Sequence, residues 1–244
     1  MMSIKPNLWT IPQPTAQVLA GLPDKISVLV ARLRQIADTH HAVRFASSLA
    51  VEDMLITDLI AKHQLPIEIF TLNTGLLHQE TLDLLQQLGQ TYPNLKVQVF
   101  EPNHVDTEEF VAQHGKNAYY ESVELRRQCC FLRKIEPLNR ALQGADAWLT
   151  GQRREQSATR TELPLAERDE ARQMDKYNPI FDWSELDVWA YILTQNVPYN
   201  QLYHQGFPSI GCDPCTRPIK ADEDIRAGRW WWENKDSKEC GLHK

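Results

Sequence analysis

The stretch that decides the fold spans residues 42–63, AVRFASSLAVEDMLITDLIAKH, in which a short β-like run leads through small hydroxylated residues into a helical pattern. Residues 67–75, IEIFTLNTG, repeat the arrangement with an apolar strand that ends in polar residues and glycine. Helical periodicity then returns over residues 82–88. This alternation predicts a parallel sheet covered by helices.

The flanking sequence extends the same pattern. An amphipathic helix over residues 26–36 precedes the first strand, and two more strands are expected at 95–100 and 147–150. The remaining helices are predicted at 107–113, 130–142, 184–194 and 222–228. We expect one domain over residues 1–244, with an open, mostly parallel α/β core at about 20–183, helices on both faces, and a helical or irregular extension at about 184–244.

Composition limits the class of protein. The chain has 244 residues, 42% of them hydrophobic and 24% charged, which indicates an ordinary globular protein. The net charge of −6 disfavours non-specific binding to nucleic acid, so an anionic ligand needs a local basic cluster. The sequence shows no secretory signal and no apolar run that suits a membrane span. Five cysteines without an export signal favour the reducing cytoplasm.

Polar residues follow three of the predicted strands, at Ser47-Ser48, Asn73–Gly75 and Gly151–Arg154. Ligands of parallel sheets bind beyond the carboxyl ends of the strands, so these segments are candidates for one site. Hydroxyls and free helix N–H groups at Ser47-Ser48 suit a phosphate, although a serine-capped helix would look the same. The sequence contains neither a Walker-type phosphate loop nor a G-x-G-x-x-G motif.

Cationic residues form two groups. Arg153, Arg154 and Arg160 follow the fourth strand together with Gln156 and Ser157, and their guanidinium groups suit phosphate or sulfate. A solvated basic loop is the alternative. The second group has acidic residues between its cations and, taken alone, indicates an exposed helix face. Its cations are Arg217, Lys220, Arg226 and Arg229.

The cysteines are grouped as two, two and one. Cys212 and Cys215 form a C-x-x-C turn that suits zinc, an iron–sulfur cluster or a redox disulfide. Cys129 and Cys130 are adjacent, and taken alone they favour buried apolar thiols. Together the two pairs supply four soft ligands, the number that a cubane iron–sulfur cluster needs.

The fifth cysteine, Cys240, lies near the end of the chain, and it shares a helix face with His243 if that segment is helical. A cysteine on a pliable terminus is a candidate nucleophile, and an incidental tail cysteine is the alternative. The aromatic run at residues 230–232 is expected to dock this tail onto the body of the protein.

In order and combination, these motifs resemble the assimilatory sulfonucleotide reductases, and among them the iron–sulfur type that reduces adenylyl sulfate (APS). The likeness runs from about residue 45 to residue 243. Ala50, Asn73 and Leu76 depart from the family pattern. The matching stretches are residues 47–53, 72–75, 129–134, 151–157, 208–218, 226–230 and 239–243.

The resemblance implies an adenine-nucleotide α-hydrolase-like fold and thioredoxin-dependent reduction of APS to sulfite and AMP, for sulfate assimilation and cysteine biosynthesis. It implies that Cys129, Cys130, Cys212 and Cys215 hold one 4Fe-4S cluster per chain, and that Cys240 forms an S-sulfocysteine. It assigns the charge-neutralising roles to Lys134, Arg226, Arg229 and His243. It also implies a dimer or tetramer, with no nucleic acid or membrane partner. The implied substrate contacts are Ser47, Ser48, Leu72, Asn73, Thr74, Gly75, Arg153, Arg154, Gln156 and Ser157.

Three alternatives stay open. Reduction of the 3′-phosphorylated nucleotide (PAPS) is the first, although family members that use it usually lack the two cysteine pairs. The second is an ATP-using iron–sulfur enzyme of tRNA thiolation, whose Ser-Gly-Gly-x-Asp-Ser loop residues 47–52 do not match. The third is a binding module in which the four paired cysteines hold structural zinc.

Overall fold

Six strands form a single sheet in the computed structural model, which describes residues 7–156 and 162–234. Their order across the sheet is β3-β2-β1-β4-β6-β5. All neighbouring pairs are parallel except β5 and β6, so the predicted mostly parallel α/β sheet is confirmed. The strands are β1 (Val43–Ala46), β2 (Ile67–Leu72), β3 (Val97–Phe100), β4 (Ala147–Leu149), β5 (Ala166–Asp169) and β6 (Met174–Tyr177).

Helices connect the strands and cover the sheet. Side-chain caps begin several of them: Thr15 caps α1, and Ser184 forms a capping box with Asp187 at α7. No helix in the described residues is long and apolar enough to cross a membrane. The helices are α1 (Ala16–Thr39), α2 (Val51–His63), α3 (Gln79–Thr91), α4 (His104–His114), α5 (Val123–Cys130), α6 (Glu136–Ala141) and α7 (Glu185–Thr194).

Alternating side chains divide the core into layers on the two faces of the sheet. Ile69 and Leu149 belong to the main apolar cluster, which also includes the buried faces of α1, α2 and α7. Their chain neighbours Phe70 and Trp148 belong to a separate cluster with Leu138 of α6. Successive residues of a strand point to opposite faces, so one sheet buries apolar surface against helices on both sides.

The strand order places a topological switch between β1 and β4. From β1 the chain moves outward through β2 and β3, and it later returns to β4 on the other side of β1. The loops after β1 and β4 therefore diverge and leave a crevice at the carboxyl ends of the strands. Ser47-Ser48 and Thr150-Gly151 lie at these two strand ends.

The predicted helix over 130–142 is wrong in its bounds and geometry. The helix begins at Val123, where the Ser122 hydroxyl accepts a bond from Leu125 N–H at 3.1 Å. It continues beyond Cys130 through a wider π-helical segment, Phe131–Ile135, into α6. Such wide turns occur within α-helices mostly as single-turn bulges at functional sites.

Two further expectations need correction. The predicted helix over 222–228 is wrong: the segment forms turns in which Glu223 accepts a bond from Lys220 N–H and Asp224 accepts one from Arg226 N–H. These acids bond to the local backbone and compete with a helix. The hairpin of β5 and β6 was not predicted, because neither strand has an apolar pattern.

Candidate active site

A cavity of about 250 Å³ opens at the carboxyl ends of β1, β2 and β4, at the topological switch. It brings together segments that are far apart in the sequence, from the loop after β1 to the C-terminal part of the described chain. Its wall includes several predicted substrate contacts: Ser47, Ser48, Leu72, Thr74 and Gln156.

The loop after β1 is held in shape by Asp53. Both the N–H and the hydroxyl of Ser48 donate to Asp53 Oδ2 at 2.6 Å, and Leu49 adopts a left-handed φ of 62° in the tight turn. Burial raises the pKa of Asp53 to about 7, while the bonds from Ser48 oppose the shift. At the start of α2, Val51 N–H donates to the Tyr203 hydroxyl at 2.9 Å. These contacts fix the hydroxyls of the loop at the cavity wall.

Three cations line the same cavity: Lys134 from the π-helical segment, and Arg226 and Arg229 from the C-terminal segment. Arg229 also donates to the Ile210 carbonyl at 3.1 Å. Its guanidinium lies against Gly211, where an added Cβ would be 2.4 Å from Nη2. Guanidinium and ammonium groups together suit a sulfate or phosphate group.

Four predicted substrate contacts lie elsewhere. Asn73 donates to Glu101 at 2.8 Å, and Gly75 follows it in a turn with a φ of 70°. Arg154 donates to the Leu163 carbonyl. Arg153 is buried and forms an ion pair with Glu52 at 2.7 Å, so its guanidinium supports a wall residue of the cavity.

A second, smaller cavity is lined by all four paired cysteines. Cys129 and Cys130 lie at the end of α5, and Cys212 precedes a short 3-10 turn, Asp213–Cys215, that ends at Cys215. Each of the four is between 6% and 8% exposed. The sequence alone did not explain how adjacent cysteines could serve one site; in the structure, both line the cavity where the helix changes to π geometry.

The wall of this cavity combines an apolar cluster around the buried thiols with three cationic side chains. Without a ligand, burial raises the pKa of Cys129, and it raises the pKa of Cys215 to about 12. The buried indole N–H of Trp230, which lines the cavity, has no hydrogen-bond partner within the described residues. Arg126, Arg133 and Lys134 contribute positive charge to the wall. Four thiols and a buried N–H donor therefore fit an anionic, sulfur-rich group. In residues 7–156 and 162–234, no group of three or more His, Cys, Asp or Glu side chains is arranged to hold a metal ion.

Lys134 and Trp230 line both cavities. The cysteine cavity and the larger cavity are thus separated by one layer of side chains. An ammonium group in this position can interact with negative charge on either side. Lys134 is therefore shared by the cavity of the four cysteines and the cavity at the strand ends.

The remaining candidate residues lie outside the described ranges: Ser157, Arg160, Cys240 and His243. Within these ranges, the structure adds wall residues that the sequence analysis did not single out. Gly211 and Tyr203 are two of these residues. Each contacts a residue that is distant in the sequence: Gly211 contacts Arg229, and Tyr203 contacts Val51. Thr150 could have been found, since it follows β4 as Ser47 follows β1.

Comparison with known proteins identifies the family. Residues 42–218 match the phosphoadenosine phosphosulfate reductase domain. The chain is 65% identical to an adenosine 5′-phosphosulfate reductase of Neisseria meningitidis serogroup B over 98% of each chain. It is 48% identical to the enzyme of that name from Allochromatium vinosum, over 91% of this chain and 87% of the other.

A solved structure gives the same result for the fold. The chain is similar to the phosphoadenylyl-sulfate (PAPS) reductase of Candida auris in a phosphate complex, with a TM-score of 0.67 and 27% identity. The match covers 84% of this chain and 98% of the other. From the domain match and these relatives we conclude that the chain belongs to the phosphoadenosine phosphosulfate reductase family.

Proposed function

We propose that this protein reduces APS to sulfite and AMP with electrons from thioredoxin, as a step of sulfate assimilation that leads to cysteine. The observation that carries the proposal is that Lys134 lines both the cavity of the four cysteines and the larger cavity, which also has Arg226 and Arg229 in its wall. The relatives named adenosine 5′-phosphosulfate reductase support the same reaction. The free cysteines of the sequence favour a cytoplasmic enzyme.

The two ends of the substrate have different partners in the larger cavity. We place the nucleotide end against the strand ends, where the hydroxyl-bearing residues Ser47 and Thr74 line the cavity and the bonds from Ser48 to Asp53 hold the loop in shape. We place the sulfate end against Lys134, Arg226 and Arg229, because these groups neutralise its charge. The placement brings the sulfate next to the wall that the two cavities share.

We assign the smaller cavity to a 4Fe-4S cluster held by Cys129, Cys130, Cys212 and Cys215. Four buried thiols on one cavity supply the donor number and softness that such a cluster requires. When bound, the cluster would keep these thiols deprotonated and join the helix that bears Cys130 to the turn that bears Cys212. The reaction itself needs no change in its oxidation state.

The chemistry takes place at Cys240. Its thiolate attacks the sulfur of APS, the S–O bond to the phosphate breaks, and AMP leaves with that oxygen. Lys134 and Arg229 offset negative charge as it develops on the leaving phosphate, and we assign His243 the same charge-neutralising role. A thioredoxin thiolate then attacks Cys240 Sγ, which displaces sulfite and forms a mixed disulfide. The second thioredoxin thiol resolves it, so the two electrons come from thioredoxin.

A steady-state assay of sulfite release tests this function. Anaerobically purified protein is supplied with thioredoxin and either APS or PAPS. We expect release from APS to exceed release from PAPS by at least tenfold, and we expect Cys240→Ser to abolish it while the iron content stays unchanged. Equal or greater activity with PAPS would overturn the choice of substrate. Normal sulfite release by Cys240→Ser would overturn the nucleophile.

The cluster has its own test. Iron analysis and visible absorption of the same preparation should show four iron atoms per chain and the brown colour of a cluster. A colourless protein that holds zinc and ignores both nucleotides would instead support the structural-metal alternative. Gel filtration with light scattering tests the expected dimer or tetramer.

A further inference from the structure

A buried ion pair lies at the root of the C-terminal tail. Arg126 Nε and Nη2 donate to the two carboxylate oxygens of Glu233, each at 2.8 Å. The side chains are 0% and 4% exposed, so both charges are removed from water. Glu233 precedes Cys240 by seven residues in the sequence.

The pair joins the tail to the helix that carries the cysteines. Arg126 lies on α5, one turn before Cys130. Its guanidinium also lies 4.8 Å from the ring centre of Trp230, and the guanidinium of Arg229 lies 4.7 Å from the same ring. A continuous set of contacts therefore connects Glu233 to a cation of the substrate cavity.

The backbone between Trp230 and Glu233 is also constrained. Trp230 adopts a left-handed φ of 41°, which is unfavourable for a residue with a side chain, and its N–H donates to the Cys215 carbonyl at 3.1 Å. Glu233 N–H donates back to the Trp230 carbonyl at 2.9 Å. These bonds close the turn, and the ion pair with Arg126 holds Glu233 at its end.

Fold stability alone does not account for a charged pair in this position. Two well-packed apolar residues often stabilise a protein as well as a buried ion pair does, since desolvation offsets the attraction. A bidentate pair does, however, specify one geometry. Seven residues span at most about 25 Å when extended, so the position of Glu233 limits where the Cys240 thiol can reach.

We propose that the Arg126–Glu233 pair is a positioning device that fixes the root of the tail, so that Cys240 Sγ reaches the sulfur of bound APS. The inference rests on the proposed function and adds two residues to it. Neither residue lines the substrate cavity; Arg126 lines the smaller cavity beside Cys130, whereas Glu233 lines neither, so substitution at Glu233 with iron content as a readout separates an effect on the tail from one on the cysteines. Loss of the pair lowers the effective concentration of the thiol at the sulfur atom, where a misplacement of about 1 Å can cost up to 100-fold in rate.

The test compares Glu233→Gln with the wild type and with Glu223→Gln. Glu223 forms an ion pair with Arg217 at 2.8 Å in the same C-terminal segment, but both side chains are about a third exposed, which makes this pair a matched control. Anaerobic protein is mixed with saturating APS and no thioredoxin, quenched at set times, and the sulfonated fraction of the Cys240 peptide is measured by mass spectrometry. Iron content and the APS dissociation constant are measured on each preparation.

We expect Glu233→Gln to slow sulfonation at least tenfold, with iron content unchanged and APS affinity within threefold of the wild type. Glu223→Gln should react at the wild-type rate. Glu233→Asp keeps the charge and should give an intermediate rate, and it serves as the test if Glu233→Gln does not fold.

A wild-type rate of sulfonation in Glu233→Gln would overturn the inference. A loss of iron or of APS affinity that matches the loss of rate would also overturn it, because the pair would then support the fold and not the tail. If the wild-type protein itself forms no adduct, the proposed function fails first. The two failures are therefore distinguishable.

Discussion

Gly211→Ala is expected to impair catalysis while leaving the fold intact. A Cβ at Gly211 would be 2.4 Å from Arg229 Nη2 and 2.5 Å from its Cζ, whereas ordinary contacts begin near 3.4 Å. The guanidinium must therefore move by about 1 Å. It is the far end of a flexible side chain, so this movement costs little stability. The same movement takes a cation away from the sulfate end of the proposed site.

The size of the effect follows from the role of Arg229. Removing one preorganised donor from a site that stabilises developing charge typically costs about 100-fold to 1000-fold in rate. A displaced guanidinium keeps part of its electrostatic effect, so we expect kcat/KM for APS to fall by about 10-fold to 100-fold. This corresponds to about 1.4 to 2.7 kcal/mol of transition-state stabilisation.

The assay is sulfite release with APS and thioredoxin, together with a thermal unfolding curve and the iron content of each variant. Gly89→Ala is the control, because a Cβ there would meet nothing within 4 Å and Gly89 lies inside α3. It should keep its activity and gain about 0.5–1 kcal/mol of stability. A kcat/KM for Gly211→Ala within twofold of the wild type would refute the reasoning.

Three other changes test the architecture around the site. Gly228→Ala places a Cβ 2.2 Å from the Arg217 carbonyl oxygen, and because this atom is backbone we expect about 1–3 kcal/mol of destabilisation in a thermal melt; an unchanged midpoint would contradict this. Glu52→Gln removes the closer of the two carboxylates that pair with the buried Arg153 cation, since Glu155 stays at 3.6 Å, and should cost about 2–3 kcal/mol in chemical denaturation; a cost below about 1 kcal/mol would contradict it. Asp53→Asn tests a pH dependence, because burial raises the pKa of Asp53 to about 7. The folded protein therefore binds a proton at Asp53 more tightly than the unfolded chain does, which stabilises the fold at low pH. This stabilisation is lost as the pH rises from 4 to 7. Across this range, the free energy of unfolding of Asp53→Asn should rise relative to that of the wild type by up to about 1.4 kcal/mol per pH unit. If the unfolding free energies of the two proteins changed in parallel with pH, the raised pKa of Asp53 would be contradicted.

The elements that could be predicted from the sequence are those with local apolar patterns. Strands β1 to β4 and helices α1 and α7 carry such patterns, and their order predicts the switch point and hence the segments at the site. The hairpin of β5 and β6 could not be predicted in this way. Its buried Lys176 is paired with Glu167 and lies 5.6 Å from the Trp148 ring centre, so a strand that looks polar in sequence is stabilised by its neighbours in space.

The details of the site depend on pairings between distant residues. Arg153 follows a strand end, where a ligand contact was expected, but Glu52 lies 101 residues earlier and takes up its guanidinium. The π-helical turn after Cys130 is likewise invisible to a periodicity of 3.6 residues. Local patterns therefore predict which segments meet at the candidate site, whereas the partners of individual side chains require the structure.

In the proposed reaction, Cys240 takes the sulfonyl group from APS. The most direct test is the intact mass of anaerobic protein after incubation with APS or PAPS, followed by reaction with thioredoxin. We expect a sulfonate-sized gain with APS, located on the Cys240 peptide and removed by thioredoxin with release of sulfite. No gain with either nucleotide, or a gain on another residue, would contradict the account.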